Sequence, residues 1–184
     1  MPEFLVRPLR AEEWERAKDF RLEALRDEIA PVAFITTFDE AVTWADEVWQ
    51  KRAWASSESA DPSARQRALV AVDDGKWLGT LTVLVTAAGQ KDYAGRVLPA
   101  RTADVVGVYV TPAARGNGVV QALLEAAADW AAAQGISHLQ LFVHEHNPRA
   151  QRAYEKSGFL LTDEAHDFGN GSDLRMVRVL STAK

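Results

Sequence analysis

The sequence predicts a single mixed α/β domain in which β-strands are flanked by helices. Its 184 residues are the length of one domain, and 47% apolar with 26% charged residues is ordinary for a globular protein. Segments of alternating hydrophobicity and segments of helical period follow one another, and glycine or proline punctuates their ends. In order, these segments give the succession β-α-α-β-β-β-α-β-α-β-β.

The N-terminal part of the chain combines one strand with two helices. We expect a short strand over residues 3–7, because this apolar run is followed at once by a proline. Apolar residues at helical spacing predict a helix over 12–29, stopped by Pro31. A second helix is expected over 39–53, with Asp39 as its N-cap.

Strand signals dominate the middle of the chain. The polar run 56–63 reads as an exposed loop, and strands are predicted over 67–72 and 77–86. The Asp-Asp-Gly-Lys sequence between these strands indicates a hairpin. A very apolar strand over 103–110 follows after a longer loop.

The C-terminal part alternates helices and strands. A helix is predicted over 118–134, where apolar residues recur at helical spacing, and a strand over 139–143. A short helix over 148–157 begins with an Asn-Pro pair, which is typical of a cap and a first-turn proline. Strands over 159–162 and 174–180 complete the domain.

Composition excludes several classes of function. The chain has no cysteine, so disulfides, thiolate metal sites and a cysteine nucleophile are excluded. Its formal net charge of −5 gives no whole-chain basic footprint for nucleic acid. No run approaches the ~20 apolar residues of a membrane-spanning helix, and the first residues lack the pattern of a signal peptide. We therefore expect a cytoplasmic protein with neither a nucleic-acid nor a membrane partner.

The strand over 103–110 leads into a glycine-rich turn and then a helix. The sequence Arg115-Gly116-Asn117-Gly118-Val119-Val120 opens that helix. Glycines let the backbone approach a ligand, and free N–H groups at a helix start favour an anion such as a phosphate. A dinucleotide fingerprint fails because position 121 is Gln, and a Walker loop fails because Gly118 is not followed by Lys. The alternative is a tight turn without a ligand.

A second motif downstream favours the ligand-binding interpretation. It consists of Asn147, Ala150, Tyr154, Gly158 and Phe159 in the spacing N-x-x-A-x-x-x-Y-x-x-x-G-F. Together the two motifs resemble the GNAT superfamily of N-acetyltransferases, which move the acetyl group of acetyl-CoA to an amine. The resemblance implies one GNAT domain over residues 1–184, with a mixed, mostly antiparallel central sheet flanked by helices on both faces.

The resemblance also implies how acetyl-CoA, the co-substrate, would bind. The backbone N–H groups of Arg115 to Val120 would hold the pyrophosphate. The pantetheine arm would lie along the stretch Val108-Tyr109-Val110 and bond to Val108 and Val110. Asn147 and Ala150 would flank the arm, although Asn147 also suits a simple helix cap. The family's acetyl-CoA motif is R/Q-x-x-G-x-G/A, which this sequence matches at Arg115 and Gly118. Val120 departs from its last position, which is Gly or Ala; the Val120 side chain either crowds the pyrophosphate or points into the core.

Transfer of an acetyl group from acetyl-CoA to an amine requires a general acid and a general base. Tyr154 resembles the tyrosine that protonates the leaving thiolate, and it is protonated at pH 7 because its ordinary pKa is near 10; the alternative is packing alone. Asp104 is the candidate base, with alternation placing it on one sheet face with Val106, Val108 and Val110. A solvated residue at the strand entry is the alternative. His144 is a second candidate base or substrate contact.

The acceptor is expected to be a small-molecule or peptide amine. Its site should lie between the first two helices and the later strand ends, where Phe34, Trp44 and Trp49 are candidate lining residues, although tryptophans are also common in cores. His144 and His146 are neighbours, but no third ligand accompanies them, so we expect no metal. The rival functions are a non-catalytic acyl-CoA sensor and transfer of a longer acyl chain. Family resemblance makes a homodimer a further expectation.

Overall fold

A computed structural model of the protein, described over residues 3–60 and 65–181, contains one seven-stranded sheet. The strands are β1 (Leu5–Pro8), β2 (Gln66–Asp73), β3 (Lys76–Thr86), β4 (Thr102–Val110), β5 (His138–His144), β6 (Leu160–His166) and β7 (Asp173–Val179). The helices are α1 (Trp14–Arg26), α2 (Ala30–Ala33), α3 (Phe38–Ala41), α4 (Asp46–Ser56), α5 (Val119–Ala133) and α6 (Pro148–Lys156). Every predicted strand is present, and the sheet is flanked by helices as expected. Part of the predicted 56–63 loop, residues 61–63, lies outside the described residues.

The sheet is mixed and mostly antiparallel. Its strand order is β1-β2-β3-β4-β5-β7-β6. Every neighbouring pair is antiparallel except β4 and β5, which run parallel. The expected sheet type is therefore confirmed, and the one parallel pair divides it into a β1–β4 half and a β5–β7 half.

The two halves separate soon after they meet. Among the described residues, β4 and β5 pair only at Ala103 with Leu139 and at Asp104 with Gln140. Both strands then continue, β4 to Val110, without further pairing to each other. Because unpaired parallel strands diverge, a cleft opens between their carboxyl ends.

Helices cover both faces of the sheet and divide the core in two. On one face α5 supplies Leu123, which packs in a cluster with Leu139 and Phe159. On the other face α1 and α4 build a second cluster that includes Phe20 and Trp77, whose rings meet edge to face at 5.5 Å. Burial of both sheet faces explains why the central strands read as almost continuous apolar runs.

The first predicted helix ends earlier than expected. α1 stops at Arg26 because Asp27 takes an extended conformation, and the Asp27 carboxylate accepts the N–H of Ile29 at 3.1 Å. A separate short helix, α2, then runs through Pro31 rather than stopping at it. Proline is tolerated there because the first turn of a helix needs no donor from it.

The second predicted helix is two helices. Thr37, not Asp39, caps α3: its hydroxyl accepts the N–H of Glu40 at 3.3 Å. The hydroxyl of Thr43 donates to the carbonyl of Glu40 at 2.7 Å and helps to satisfy the end of α3. Ala45 is extended, so the chain restarts as α4 at Asp46.

A bulge in β4 changes which side chains share a face. The β3–β4 register shifts beside Gly107, whose φ of +63° is a conformation that favours glycine. Asp104 lies before the bulge, and its chain neighbours on both sides pack in the α5 core, so Asp104 points to the opposite face. Val108 and Val110, after the bulge, pack against the α5 core, whereas Tyr109 joins the α1 core. The expectation that Asp104 and Val110 share a face is therefore wrong.

The two helices that carry the motifs form as predicted. α5 begins at Val119, directly after the glycine-rich turn, and spans 15 residues. α6 begins at Pro148, after the Asn147 cap. Within the described parts of the chain, no helix has the length and apolar character needed to cross a membrane.

Candidate active site

The divergence of β4 and β5 produces a cleft of about 1090 Å³. Its walls are the unpaired ends of these two strands, the first turn of α5 and one side of α6. The segment 29–36, after α1, and the α4 helix close the cleft on the face opposite α5. Both sequence motifs therefore border a single concave site, as the resemblance implies.

The glycine-rich turn presents free backbone donors to this cleft. Gly116 and Gly118 have φ values of +81° and +80°, and a Cβ added to either would meet no atom within 4 Å. Their glycine character is thus required by the backbone and leaves open space for a ligand. The N–H groups of Gly116, Gly118, Val119 and Val120 have no acceptor among the described residues. A helix start with such orphan donors is suited to an anion.

Two of the six expected N–H groups are already used. The N–H of Arg115 donates to Pro112 at 3.4 Å, and that of Asn117 donates to Ala114 at 3.4 Å. The Asn117 side chain is exposed and does not border the cleft. The Val120 side chain packs partly against the α5 core while its N–H stays free, so this departure from the motif leaves the donor in place.

The Arg115 side chain fixes the turn to the rest of the domain. Its Nε donates to the carbonyl of Val110 at 3.0 Å, and its guanidinium pairs with Asp27 at the end of α1. Burial alone would raise the pKa of Asp27, but the hydrogen bonds from Ile29 and Arg115 outweigh it and lower that pKa. Sequence reasoning did not identify Asp27, because its partner lies 88 positions away.

The edge of β4 offers donors along the cleft. Thr111 donates its N–H to Leu78 of β3 at 2.9 Å. Backbone direction alternates along a strand, so the N–H of Val110 points away from β3 and toward the cleft. Val108 also borders the cleft. The Tyr109 side chain is buried in the α1 core, where its hydroxyl donates to Glu23 at 3.2 Å, and its backbone N–H points toward β3 by the same alternation.

α6 and its cap place three residues of the second motif, Asn147, Ala150 and Tyr154, at the cleft wall. The Asn147 side chain accepts the N–H of Ala150 at 3.2 Å, so the capping role is confirmed, and both residues border the cleft. Tyr154 is 8% exposed and its ring lies 6.2 Å from that of Phe159. Burial raises the pKa of the Tyr154 phenol above its usual value, so the group keeps its proton at neutral pH.

Asp104 lies beside the cleft rather than in its wall. It is fully buried; its Oδ1 accepts the Gln140 amide at 2.6 Å, and its Oδ2 has no partner among the described residues. Burial raises the pKa of Asp104 to about 7. That pKa suits a base, but Asp104 is not among the residues that line the cleft. A proton could reach it only through an intermediary.

His144 is committed to structural hydrogen bonds. Its Nδ1 accepts the N–H of His146 at 3.1 Å, and its Nε2 lies 3.0 Å from the carbonyl of Asn170. These partners assign the proton to Nε2 and occupy the lone pair that a base would need. Across residues 3–60 and 65–181, no three histidine or acidic side chains come together as a metal-binding group.

Of the three residues expected to line the acceptor site, two border the cleft and one does not. Phe34 and Trp49 border the cleft, whereas Trp44 does not and packs on Trp49 at 5.1 Å between ring centroids. Arg21, which sequence reasoning missed, lies over the Phe34 ring at 4.3 Å, and burial lowers its pKa to about 10. The wall beside segment 29–36 is therefore both aromatic and cationic.

A buried carboxylate that no sequence signal indicated also borders the cleft. Asp173 opens β7 opposite His144 of β5 and is 8% exposed. Its Oδ2 has no hydrogen-bond partner within the described residues, and burial raises its pKa. Only the pairing of β5 with β7 brings it to the site, because it follows the glycine turn by more than fifty residues in the chain.

Comparison with known proteins identifies a family that matches this chain. The model of the acetyltransferase (GNAT) family matches residues 12–159. A mycothiol acetyltransferase from Beutenbergia cavernae is 38% identical over 64 residues, a stretch that spans 35% of this chain and only 22% of that relative.

Solved structures agree over nearly the whole chain. A GCN5-related N-acetyltransferase from Kribbella flavida is 25% identical, with a TM-score of 0.68 and coverage of 98% of this chain and 100% of that one. An acetyltransferase of the GNAT family from Streptococcus pneumoniae, at 19% identity, has a TM-score of 0.73 and coverage of 97% and 100%. PaiA N-acetyltransferase from Thermoplasma acidophilum, in complex with coenzyme A, is 20% identical, with a TM-score of 0.70 and coverage of 96% and 99%. With a family model that spans most of its length, the chain belongs to the GNAT acetyltransferase family.

Proposed function

We propose that the protein transfers the acetyl group of acetyl-CoA to a primary amine, by direct attack of the amine within a ternary complex. The observation that carries this proposal is the row of free N–H groups at the start of α5, which opens onto the cleft between β4 and β5. That arrangement suits a pyrophosphate at the cleft mouth and an extended arm along β4. Family membership points to the same co-substrate.

The glycine-rich turn and the open β4 edge would bind different parts of acetyl-CoA. The N–H groups of Gly116, Gly118, Val119 and Val120 would hold the pyrophosphate. The pantetheine arm would pair with the open β4 edge at Val108 and Val110, while Asn147 and Ala150 border its path. The N–H of Val110 would then polarise the thioester carbonyl and stabilise the charge that develops on its oxygen.

Proton transfers complete the reaction. An alkylammonium must lose a proton before attack, which costs about 4.6 kcal/mol at pH 7 for a lysine-like pKa of about 10.4. Asp104 would take that proton through a water relay, since its carboxylate is enclosed. The neutral amine then forms the C–N bond as the C–S bond breaks, its nitrogen loses a second proton, and Tyr154 protonates the departing thiolate. The second proton restores the Tyr154 phenol through solvent, and Asp104 releases the first. One proton is released overall, because the amide product is neutral.

Thermal unfolding with acetyl-CoA tests the binding half of the proposal. Acetyl-CoA at 100 times its dissociation constant should add about 2.7 kcal/mol to the free energy of unfolding. For a chain of this size the midpoint should rise by roughly 5–10 °C. Pantetheine, which lacks the phosphates, is the control and should give a smaller rise. Equal midpoints with and without saturating acetyl-CoA would remove the basis of the proposal.

Tyr154→Phe tests catalysis separately from binding. We expect kcat to fall about 100-fold, at the lower end of the effect of losing a general acid, because the thiolate would leave unprotonated. The acetyl-CoA-induced rise in midpoint should be unchanged, since a buried ring of the same size remains. A non-catalytic acyl-CoA sensor would show no turnover in either protein.

The remaining parts of the proposal rest on the sequence and on family membership. They are a small-molecule or peptide acceptor, a cytoplasmic location and assembly as a homodimer. A comparison of acetyl-CoA with longer acyl-CoA thioesters as donors would decide the acyl chain length.

A further inference from the structure

We infer that Asp173 binds the ammonium group of the acceptor and makes the site selective for alkylammonium compounds over neutral amines and alcohols. This inference rests on the proposed function, because it assigns the acceptor end of the same cleft. It differs from the roles of Asp104 and Tyr154, which concern proton transfer. Asp173 is the carboxylate that borders the cleft itself.

The first reason is the lack of a partner for this carboxylate. Asp173 is more than nine-tenths buried, and its Oδ2 has no donor among the described residues. An ionised carboxylate buried without a donor is costly, so native proteins rarely keep one without a use. The neighbouring His144 does not donate a hydrogen bond to it, because both ring nitrogens bond to the backbone of His146 and Asn170. A cationic ligand would supply the missing partner.

The second reason is the distribution of charge along the cleft. Of the described residues that line the cleft, Asp173 is the one acidic side chain. The basic lining residues are Arg21, Lys51, Arg52, Arg115, Arg149, Arg152 and Lys156. The basic side chains suit an anionic co-substrate, and among the described lining residues Asp173 supplies the carboxylate that attracts a cation. Repulsion from the basic side chains and attraction to Asp173 would therefore both favour an ammonium group beside Asp173.

The third reason is that the backbone that carries the carboxylate is held in place. Asp173 pairs with His144 on one side and with His166 on the other, at the point where three strands meet. The loop before it is fixed, because the side chain of Asn170 donates to the carbonyl of Pro31 in α2 at 3.0 Å. Gly171 lies so close to His144 that an added Cβ would be 2.7 Å from its Nε2. Such a preorganised carboxylate loses little freedom when it binds a ligand.

The fourth reason is the aromatic surface around it. Tyr93, Phe142 and Phe168 all line the cleft, with the Tyr93 and Phe168 rings stacked at 5.5 Å and Phe142 edge-on to Phe168 at 5.5 Å. Aromatic faces attract cations and also cover apolar carbon chains. The class of acceptor that fits is therefore a primary alkylammonium on an apolar, aliphatic or aromatic body.

Binding measurements with matched ligand pairs test the inference. The probes are 2-phenylethylamine with 2-phenylethanol, and n-hexylamine with n-hexanol, each titrated by calorimetry into the protein saturated with CoA. The wild type should bind each amine at least 10-fold more tightly than the matching alcohol. Asp173→Asn should reduce this preference 10- to 100-fold, because the charge is lost while size and hydrogen bonding are kept. The control variant is Asp163→Asn, an exposed aspartate of β6, which should keep the wild-type preference.

The outcomes separate this inference from the proposed function. Asp173→Asn should show the acetyl-CoA-induced rise in midpoint of the wild type, which also establishes that it folds. The inference is wrong if the wild type prefers neither amine to its alcohol, or if Asp173→Asn keeps the wild-type preference. Neither result would contradict the proposed binding of acetyl-CoA. If instead neither acetyl-CoA nor CoA binds, the proposed function is wrong. The ammonium site would still be supported if, without CoA, the wild type prefers each amine to its alcohol and Asp173→Asn loses that preference.

Discussion

The buried carboxylates of Asp104 and Asp173 have different surroundings. Asp104 and Asp173 each leave one oxygen without a partner among the described residues, and burial raises the pKa of both. Asp104 accepts from Gln140, which in turn accepts from Arg175 at 2.9 Å, so it belongs to a polar network beneath the cleft. Asp173 borders the cleft and is open to a ligand. The two proposed roles, proton acceptor for Asp104 and ammonium binding for Asp173, follow from this difference in access.

The raised pKa of Asp104 predicts a measurable dependence of stability on pH. Its folded pKa of about 7 exceeds its unfolded value, so the native state binds this proton more tightly. Its contribution is therefore fully present below about pH 4 and is lost as pH rises through 7. Between pH 5 and 8 the wild type should lose roughly 2–3 kcal/mol of unfolding free energy relative to Asp104→Asn.

Urea denaturation of both proteins at several pH values measures this difference. The asparagine can still accept from Gln140 through its oxygen, so the variant should fold and remain a fair reference. Parallel stability profiles for the wild type and Asp104→Asn would show that the buried carboxylate does not titrate in this range.

At the scale of elements, the site depends on close contact between β3, β4 and α5. Gly79 of β3 lies against the carbonyl of Tyr109 and the side chains of Val110 and Val119; an added Cβ would be 2.9 Å from that carbonyl. The Gly107 bulge redirects the strand just before this contact. The β4 edge and the start of α5 are thereby held together at the point where the co-substrate would bind.

Gly79→Ala should disturb both stability and co-substrate binding. The new methyl group would press on backbone, which cannot move aside cheaply, so we expect a loss of about 1–3 kcal/mol in unfolding free energy and weaker acetyl-CoA binding. Gly116→Ala is the comparison: it meets no atom, and only its positive φ is strained, at a cost of about 1 kcal/mol. Urea denaturation and calorimetry measure both effects. A Gly79→Ala protein as stable as the wild type would contradict the crowding.

At the scale of the whole molecule, the cleft exists because the two halves of the sheet share so little pairing. β4 and β5 are joined at two residue pairs, and α5 packs beneath both halves. The open β4 edge is consequently a place within the sheet where a ligand could add backbone hydrogen bonds. Acetyl-CoA would act as a partial strand between the halves.

Hydrogen exchange should detect this added strand. Without ligand, the amide of Val110 should exchange quickly, because it points into the cleft, whereas that of Thr111, which donates to Leu78, should be protected. Saturating acetyl-CoA should slow exchange at Val110 and leave Thr111 unchanged as an internal control. Equal exchange at Val110 with and without ligand would mean that the arm does not pair with β4.

Sequence patterns were sufficient for local features of the fold. Helical period, alternation and turn residues predicted all seven strands, α5, α6 and the glycine-rich turn, because these depend on residues near one another in the chain. They were less successful between residues 27 and 45. There the extended conformations of Asp27 and Ala45 divide two predicted helices into four.

The sequence by itself determined the family and the co-substrate end of the cleft, because both motifs are short and their chemistry resides in backbone donors at helix starts. Only the tertiary structure decided the acceptor end. The bulge at Gly107 reversed the face expected for Val110, and strand pairing brought Asp173 beside His144. Such contacts join residues far apart in the chain, and their burial, which leaves the Oδ2 of Asp173 without a partner among the described residues, arises only when the sheet and its helices assemble.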